Sequence, residues 1–370
     1  MTHESRLVID GSHGEGGGQI LRTSLALAAL LNRPIEIINI RRGRKKPGLQ
    51  PQHLTAVQAL TAITKAHVTG ANLGSEHLRF EPRELAGGEY EFDVAAVKAS
   101  AGSVGLVFHA AAPALFCAKQ ASRLILKGGT HVPWSPPTTY LQFVFLPMVE
   151  KLGLRASIET LRWGWYPTGG GIAAVTIHPC DKIAPVTLTE RGQLEQIECL
   201  SVVSNLPRAI AERQQQQVIR RLHGQQLSAQ CEILEAPSAG KGTCVFLLAR
   251  YEHALAGFSS LGARGKPAEQ VANEAIDEFL AHHESGMIVD KHLADQLLIY
   301  LALAHGSSEF TTSEVTQHLL THVWVIEQFL PVKCEVSGAL GQPGRVTVAS
   351  RDDQAGARMH KSANQQQACG

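Results

Sequence analysis

Five of the nine residues from Asp10 to Gly18 (DGSHGEGGG) are glycine, more than any regular element accommodates. A short apolar strand, Leu7-Val8-Ile9, precedes this loop, and an Ala/Leu-rich helix is predicted over Ile20–Leu31 behind it. Strand, glycine loop and helix make an α/β corner, the strongest constraint on the fold anywhere in the chain. A comparable arrangement returns twice. Ser100-Ala101-Gly102-Ser103 leads into GLVFHAAAPALF, and the stretch around Asp290 leads into HLADQLLIYLALA. Three small or polar loops, each feeding an Ala/Leu helix, predict a repeated α/β unit whose copies share little sequence.

Backbone N–H groups in the first loop can face an anion. The loop is not a dinucleotide fingerprint, because G-x-G-x-x-G counted from Gly14 requires glycine where Gln19 stands. Nor is Gly240-Lys241 a P-loop, since the earlier glycine it needs is Glu235. A turn needing left-handed backbone would explain the glycines equally well. Glu15 tilts the reading, because a carboxylate inside an anion-binding loop makes sense when a metal ion bridges it to phosphate.

Composition narrows the class. With 44% hydrophobic and 18% charged residues, the 370-residue chain can bury a sizeable core. A net charge of +1 excludes a binder that holds nucleic acid by bulk charge, though not a local basic site. No apolar run reaches the ~18 residues of a membrane span. The N-terminus shows no basic segment followed by an apolar stretch, so no signal peptide is expected. Seven scattered cysteines without a C-x-x-C pair disfavour both a disulfide scaffold and a thiolate zinc site, and a reducing cytoplasm is the expected setting.

Arg41, Arg42, Arg44, Lys45 and Lys46 form a basic run just after the strand-like IEIINI. Residues 1–60 carry 8 Lys/Arg and 4 Asp/Glu. A solvated loop is the ordinary fate of such a run. Here only one helix and one strand separate it from the glycine loop, which favours a shared phosphate site. Further on, Thr311-x-x-Glu314 reads as a capping box for a helix VTQHLLTHVWVIEQFL. Leu319, Val323, Ile326 and Leu330 form its buried stripe, with His318, His322, Val325 and Phe329 alongside. The i, i+4 histidines could hold zinc, but Leu319 stands where H-E-x-x-H has its general base. Trp163 to Ile172 (WGWYPTGGGI) could cover a ligand or close a core, and core closure is favoured.

Residues 184–281 are more polar and read as a small inserted domain of βαββα type, with strands at CEILEA and CVFLLARY and helices starting at Pro207 and Pro267. Residues 350–370 lack periodicity and are expected to be a disordered tail.

Taken in order, DGSHGEGGGQILR, RRGRKKPGLQPQHL, SAGS (100–103), GWYPTGGG, HLADQ (292–296) and HLLTHVWVIEQFLPV resemble the RNA 3′-terminal phosphate cyclase family in its catalytic, ATP-dependent form. The resemblance runs from about Leu7 to Ser350. It implies an α/β (α+β) fold of three βαβ-rich repeats, similar to the C-terminal domain of translation initiation factor three. Residues 1–183 and 282–349 would be the catalytic core and 184–281 the insert.

The resemblance also implies chemistry: ATP and a divalent metal, Mg or Mn, convert an RNA 3′-terminal phosphate into a 2′,3′-cyclic phosphate. His318 falls at the nucleophile position, which takes AMP covalently and passes it to the RNA phosphate. Glu15 is the implied metal ligand, and Gln19, Arg22, Arg41 and Arg44 are the implied phosphate-binding residues. Nucleotide binding falls to His109, Pro133, His292, Leu293, Ala294, Asp295 and Gln296, with Asp295 and Gln296 placed on base or ribose. His109 stands where the family commonly has Gln, His292 where an aromatic Tyr often stacks on adenine, and Trp163 where a basic residue is usual. The expected partner is RNA with a 3′-terminal phosphate, with no membrane and a homodimer left open. Rival readings are a non-catalytic cyclase-like binding factor in ribosomal RNA processing, a metal-dependent hydrolase and a carboxyvinyl-transfer enzyme. The nucleophile argues against the first, the missing third ligand against the second and the histidine string against the third.

Overall fold

The computed structural model describes residues 6–350. The tail expected over 350–370 lies, apart from the backbone of Ser350, outside the described residues, as does Cys369. From the N-terminus run β1 (Leu7–Asp10), α1 (Gly18–Leu31), β2 (Ile35–Ile38), α2 (Pro51–Thr64), β3 (His67–Thr69) and β4 (Leu78–Glu81). They build a four-stranded sheet of order β1-β2-β4-β3, in which β1 and β2 are parallel and the other pairs antiparallel. Next come β5 (Glu89–Asp93), α3 (Val104–Phe116), β6 (Ser122–Gly128), a helical stretch and the strands β7 (Ala156–Arg162) and β8 (Gly171–Ile177). That stretch is α4 (Thr138–Tyr140), a π-helical turn Leu141–Phe145 and α5 (Leu146–Glu150). The second sheet, β5-β6-β8-β7, repeats the first in order and direction.

The third copy opens with β9 (Thr187–Leu188) and is then interrupted. A separate sheet follows, formed by β10 (Leu194–Ser204), β11 (Gln230–Glu235), β12 (Gly242–Tyr251) and β13 (Leu255–Leu261) with α6 (Ala209–His223) and α7 (Ala268–Ser285). The third copy resumes with α8 (Lys291–Leu303), β14 (Ser308–Thr312), α9 (Gln317–Phe329), β15 (Val332–Ser337) and β16 (Gly344–Ser350). Its sheet, β9-β14-β16-β15, has the same pattern of one parallel and two antiparallel pairs. The fold is thus mixed α/β, three repeats plus one smaller α/β unit. The smaller unit carries one strand, β13, beyond the βαββα set expected from sequence. Among the described residues no helix is long and apolar enough to cross a membrane, and the six described cysteines are free.

The three Ala/Leu helices foreseen from the sequence are α1, α3 and α8. Each follows the first strand of its repeat, and each is buried on most of its surface, which suits a helix apolar all round. α1 packs on α2, on α3 of the second repeat and on α9 of the third, while α8 packs on α3 and α9. Helices of all three repeats therefore converge on one place. Local signals set their ends. Ser103 caps α3 through Leu106 N at 3.3 Å, and Asp290 caps α8 by accepting from His292 N at 2.9 Å and Leu293 N at 3.0 Å. The capping box expected at Thr311 and Glu314 is not formed. Thr311 belongs to β14, and Thr316 caps α9 by accepting from Leu319 N at 3.0 Å. Trp163 and Trp165 pack with Val202, Ala236 and Cys244 and so close the joint to the smaller unit, the core-closing reading of that string.

Candidate active site

A cavity of about 1050 Å³ opens where the helices converge, its walls drawn from all three repeats and from β13 and α7. Glu15, Gln19, Arg22, His109, Pro133, His292, Asp295, Gln296 and His318 all line it, so nine of the residues singled out from sequence meet in one space. Arg41, Arg44, Leu293 and Ala294 are not on its walls. Leu293 and Ala294 are fully buried in the hydrophobic core. Arg41, at φ 55°, donates to the carbonyls of Lys46 at 2.7 Å and Gly48 at 2.9 Å and so braces its own loop. Arg44 pairs with Glu15 at the cavity's edge.

The glycine loop reaches the site by docking on α9. Glu15 N donates to Thr321 Oγ1 at 3.2 Å, and His13 stacks on Trp324 at 3.8 Å. Asp10 holds the start of the loop by accepting from Ser12 N at 3.0 Å and Ser12 Oγ at 2.7 Å. Gly14 and Gly16 sit at φ 54° and 57°, where side-chain residues are strained. α1 begins at Gly18 with Gly17 as its N-cap and no side chain on its first N–H groups, an end suited to an anion. Gly18 is required for another reason: a Cβ there would fall onto the His53 ring and lie 2.9 Å from Arg22 Nη1. Gly18→Ala is expected to lower stability by about 1–3 kcal/mol and to displace Arg22. Thermal unfolding checks the first effect; a variant as stable as its parent would contradict the packing.

His318 Nδ1 lies 2.8 Å from Asp295 Oδ2, and Gln19 Nε2 donates to the same oxygen at 3.4 Å. Burial alone would lower the His318 pKa, but Asp295 and then Glu15 outweigh it and hold it above the ordinary 6.5. Burial pushes the Asp295 carboxyl up, whereas His318 first, with His322 and His292, holds it below the usual carboxylate range. An ionised Asp295 accepts from Nδ1–H, which leaves the Nε2 lone pair of His318 free. Burial lowers the Arg22 guanidinium to about 10, against the pull of Asp295 and Glu15. It remains charged at neutral pH. Burial also takes His109 down to about 3 and His322 to about 4, so both are neutral.

His322 lines the same cavity within the field of Asp295, its Nε2 3.1 Å from Thr23 Oγ1 on α1. Among the described residues no group of three or more His, Cys, Asp or Glu could hold a metal ion, which removes the zinc reading of the i, i+4 histidines from further use. Among the described residues, Gln19 Oε1 is buried, lines the cavity and lacks a hydrogen-bond partner, while His109 and Gln296 lie close to each other on the same wall with their buried Nε2 and Oε1 outside good hydrogen-bond geometry. Orphaned buried polar atoms on a cavity wall call for a polar ligand to complete them. Several site features carry no local sequence signal. Asp295 reaches His318 across 23 residues, His53 on α2 stands beside Gly18 and Arg22, and Tyr140 donates to Asp290, the cap of α8, at 2.9 Å. Trp134, 95% exposed on the cavity rim, likewise has no local signal that would set it apart.

The chain as a whole is similar to known proteins. The model of the family described as RNA 3′-terminal phosphate cyclase matches residues 13–336. The chain is 43% identical over 333 residues to the RNA 3′-terminal phosphate cyclase of Pyrobaculum neutrophilum, covering 90% of this chain and 95% of that protein. It is 44% identical over 326 residues to the protein of the same name from Gloeothece citriformis, covering 87% and 93%. The protein of that name from Methylococcus capsulatus is 44% identical over 329 residues, covering 87% and 91%.

Proposed function

Because the chain belongs to the RNA 3′-terminal phosphate cyclase family, we propose that it converts an RNA 3′-terminal phosphate into a 2′,3′-cyclic phosphate with ATP, through AMP carried on His318. It is then a ligase that forms a phosphoric ester bond. The observation that carries the reading is the Asp295–His318 pair, which occupies Nδ1 and leaves Nε2 unengaged on a side chain that lines one cavity with Arg22 and Glu15.

In this scheme the Nε2 lone pair attacks the α-phosphorus of ATP, the bond to the β-phosphate breaks, and pyrophosphate leaves. Nδ1–H stays on the ring, and Asp295 balances the charge that the new N–P bond places there. A 3′-phosphate oxygen of the RNA next attacks the same phosphorus, and the N–P electron pair returns to Nε2. The terminal phosphate, now a phosphoanhydride, has a leaving group. The adjacent 2′-hydroxyl attacks it, AMP departs, and the hydroxyl proton is lost to solvent. Activation is needed because a phosphate dianion repels a nucleophile and has nothing good to expel.

Arg22 fits the triphosphate or the terminal RNA phosphate, and its buried charge stands beside the N-terminus of α1. Gln19 fits the same phosphates through its unpartnered Oε1 only where a hydroxyl or water intervenes; its Nε2 steadies Asp295. Arg44 acts through Glu15, and Arg41 through the shape of its loop. Glu15, whose carboxylate lines the cavity beside Arg44, would hold a Mg or Mn ion, since such ions commonly use one or two protein carboxylates. That ion would supply charge neutralisation on the phosphates. Pro133 and the exposed His292 fit either face of adenine, and His109 and Gln296 fit the nucleoside's polar edge. Leu293 and Ala294 contribute by seating α8 in the core.

The proposed division puts residues 1–183 and 282–349 in the catalytic core and 184–281 in the insert. β9 is the element of that span that pairs with the third core sheet. A cytoplasmic location fits the free cysteines. The test is incubation with labelled ATP and Mg or Mn, which should leave one acid-labile, hydroxylamine-independent AMP per chain on His318. An adduct on any other residue would sink the scheme. His322→Ala should retain adenylation within about tenfold, because it gives up one hydrogen bond to Thr23 rather than a reacting group. Abolished adenylation in a folded His322→Ala protein would contradict that.

A further inference from the structure

Trp134 stands apart from the other three tryptophans. Trp163 and Trp165 are buried, and Trp324 stacks on His13, whereas Trp134 is 95% exposed and, among the described residues, has no ring partner. It borders the cavity that holds His318. Its backbone is left-handed, at φ 59°, a conformation a bulky residue adopts only when its surroundings impose it.

The surroundings do impose it. Pro133 precedes Trp134, and Pro136 and Pro137 follow, so three backbone dihedrals of the loop are locked. Ser135 Oγ donates to Val132 O at 3.0 Å, and Thr138 N closes the loop on Thr130 O at 3.0 Å. His131 N donates to Gly164 O at 3.1 Å, and the His131 ring lies flat on Trp163 at 3.8 Å. A rigid base therefore holds an indole out in water at the mouth of a polar site. Nothing in the packing of the protein needs it there.

Resting on the cyclase reading above, we propose that Trp134 is a stacking platform for the base of the RNA's 3′-terminal nucleotide. The terminal phosphate must enter the cavity to reach AMP on His318, so the nucleoside attached to it is carried to the rim. Base stacking on an aromatic face suits a protein that must accept any terminal base, since every base presents a π-face. The prearranged indole loses little freedom on binding. It also orients the ribose, whose 2′-hydroxyl is the attacking group in the last step.

Binding is read without chemistry, as the anisotropy of a short fluorescent RNA bearing a 3′-phosphate, on the full chain. Trp134→Ala should weaken binding about tenfold, and Trp134→Phe should recover much of the loss. An RNA of the same length lacking its terminal base should bind the unmodified protein about tenfold more weakly, yet bind Trp134→Ala and its parent alike. Equal affinity of Trp134→Ala and its parent for the complete RNA would overturn the proposal. So would a raised KM for ATP in self-adenylation without RNA, which would put the indole on adenine instead, or a shift from dimer to monomer with RNA affinity unchanged. Absence of the His318 adduct in the unmodified protein would strike the cyclase reading, whereas RNA binding indifferent to Trp134 strikes this one alone.

Discussion

Replacing His318 with alanine is expected to abolish self-adenylation, lowering it by at least about 10⁴-fold, while the protein remains folded. In the proposed scheme the nucleophile has no substitute nearby among the described residues: His109 and His322 are neutral but buried, and His322 is committed to Thr23. Folding should survive because His318 is half-buried and its partner Asp295 keeps Gln19 Nε2 and the field of Arg22. The measurement is intact-protein mass after incubation with ATP and metal, beside a thermal melt. A residual one-AMP adduct on the alanine variant would refute the nucleophile assignment.

Asp295→Asn should carry the second-largest effect, a loss of about 10²- to 10⁴-fold in adenylation. In the proposed scheme the carboxylate would have two tasks that the amide does poorly: keeping the proton on Nδ1, and balancing the charge of an adenylated ring. The pH profile gives this prediction its sign. In the proposed scheme His318 would attack only when neutral, and its pKa is raised above 6.5 because Asp295 and Glu15 outweigh burial. Adenylation by the unmodified protein should therefore rise with pH through a midpoint above 6.5. In Asp295→Asn, burial is no longer offset by that carboxylate, so the midpoint should fall to lower pH even as the maximal rate drops. A slower enzyme with its acid limb unmoved would mean that Asp295 acts on something other than His318. The control is Thr23→Val, which alters the environment of His322 and leaves the Asp295–His318 pair in place.

Much of the site was legible in the sequence because its parts are local strings. The glycine loop, the HLADQ turn and the HLLTH helix each declare themselves through residue type and spacing, and they lie on the elements expected of them. Legibility failed where a role depends on what lies opposite. Asp295 falls in the string expected to hold the nucleotide, and nothing in that string tells that its carboxylate lies 2.8 Å from His318 Nδ1. Leu293 and Ala294, inside the same string, turn to the core because a helix sends neighbouring residues to different faces. Arg41 and Arg44 share one basic run, but one supports its own loop and the other meets Glu15. The capping box at Thr311 failed for a similar reason. A strand of the third sheet claims Thr311 through its pairing with Arg345, and the helix starts at Gln317, behind Thr316, which caps it.

The sequence by itself determined the α/β class, the three Ala/Leu helices that follow their loops, and the chemical groups available for a phosphate-handling site. These rest on backbone propensity, glycine conformation and apolar periodicity, all of which act within a few residues. The tertiary structure alone decided which groups meet. Thr321 reaches the backbone of Glu15 across 306 residues, His322 meets Thr23 across 299, and Trp134 is left without a ring to cover it. No short-range preference encodes such encounters. They follow from three repeats burying their helices against one another, which sets side chains from distant parts of the chain around one cavity.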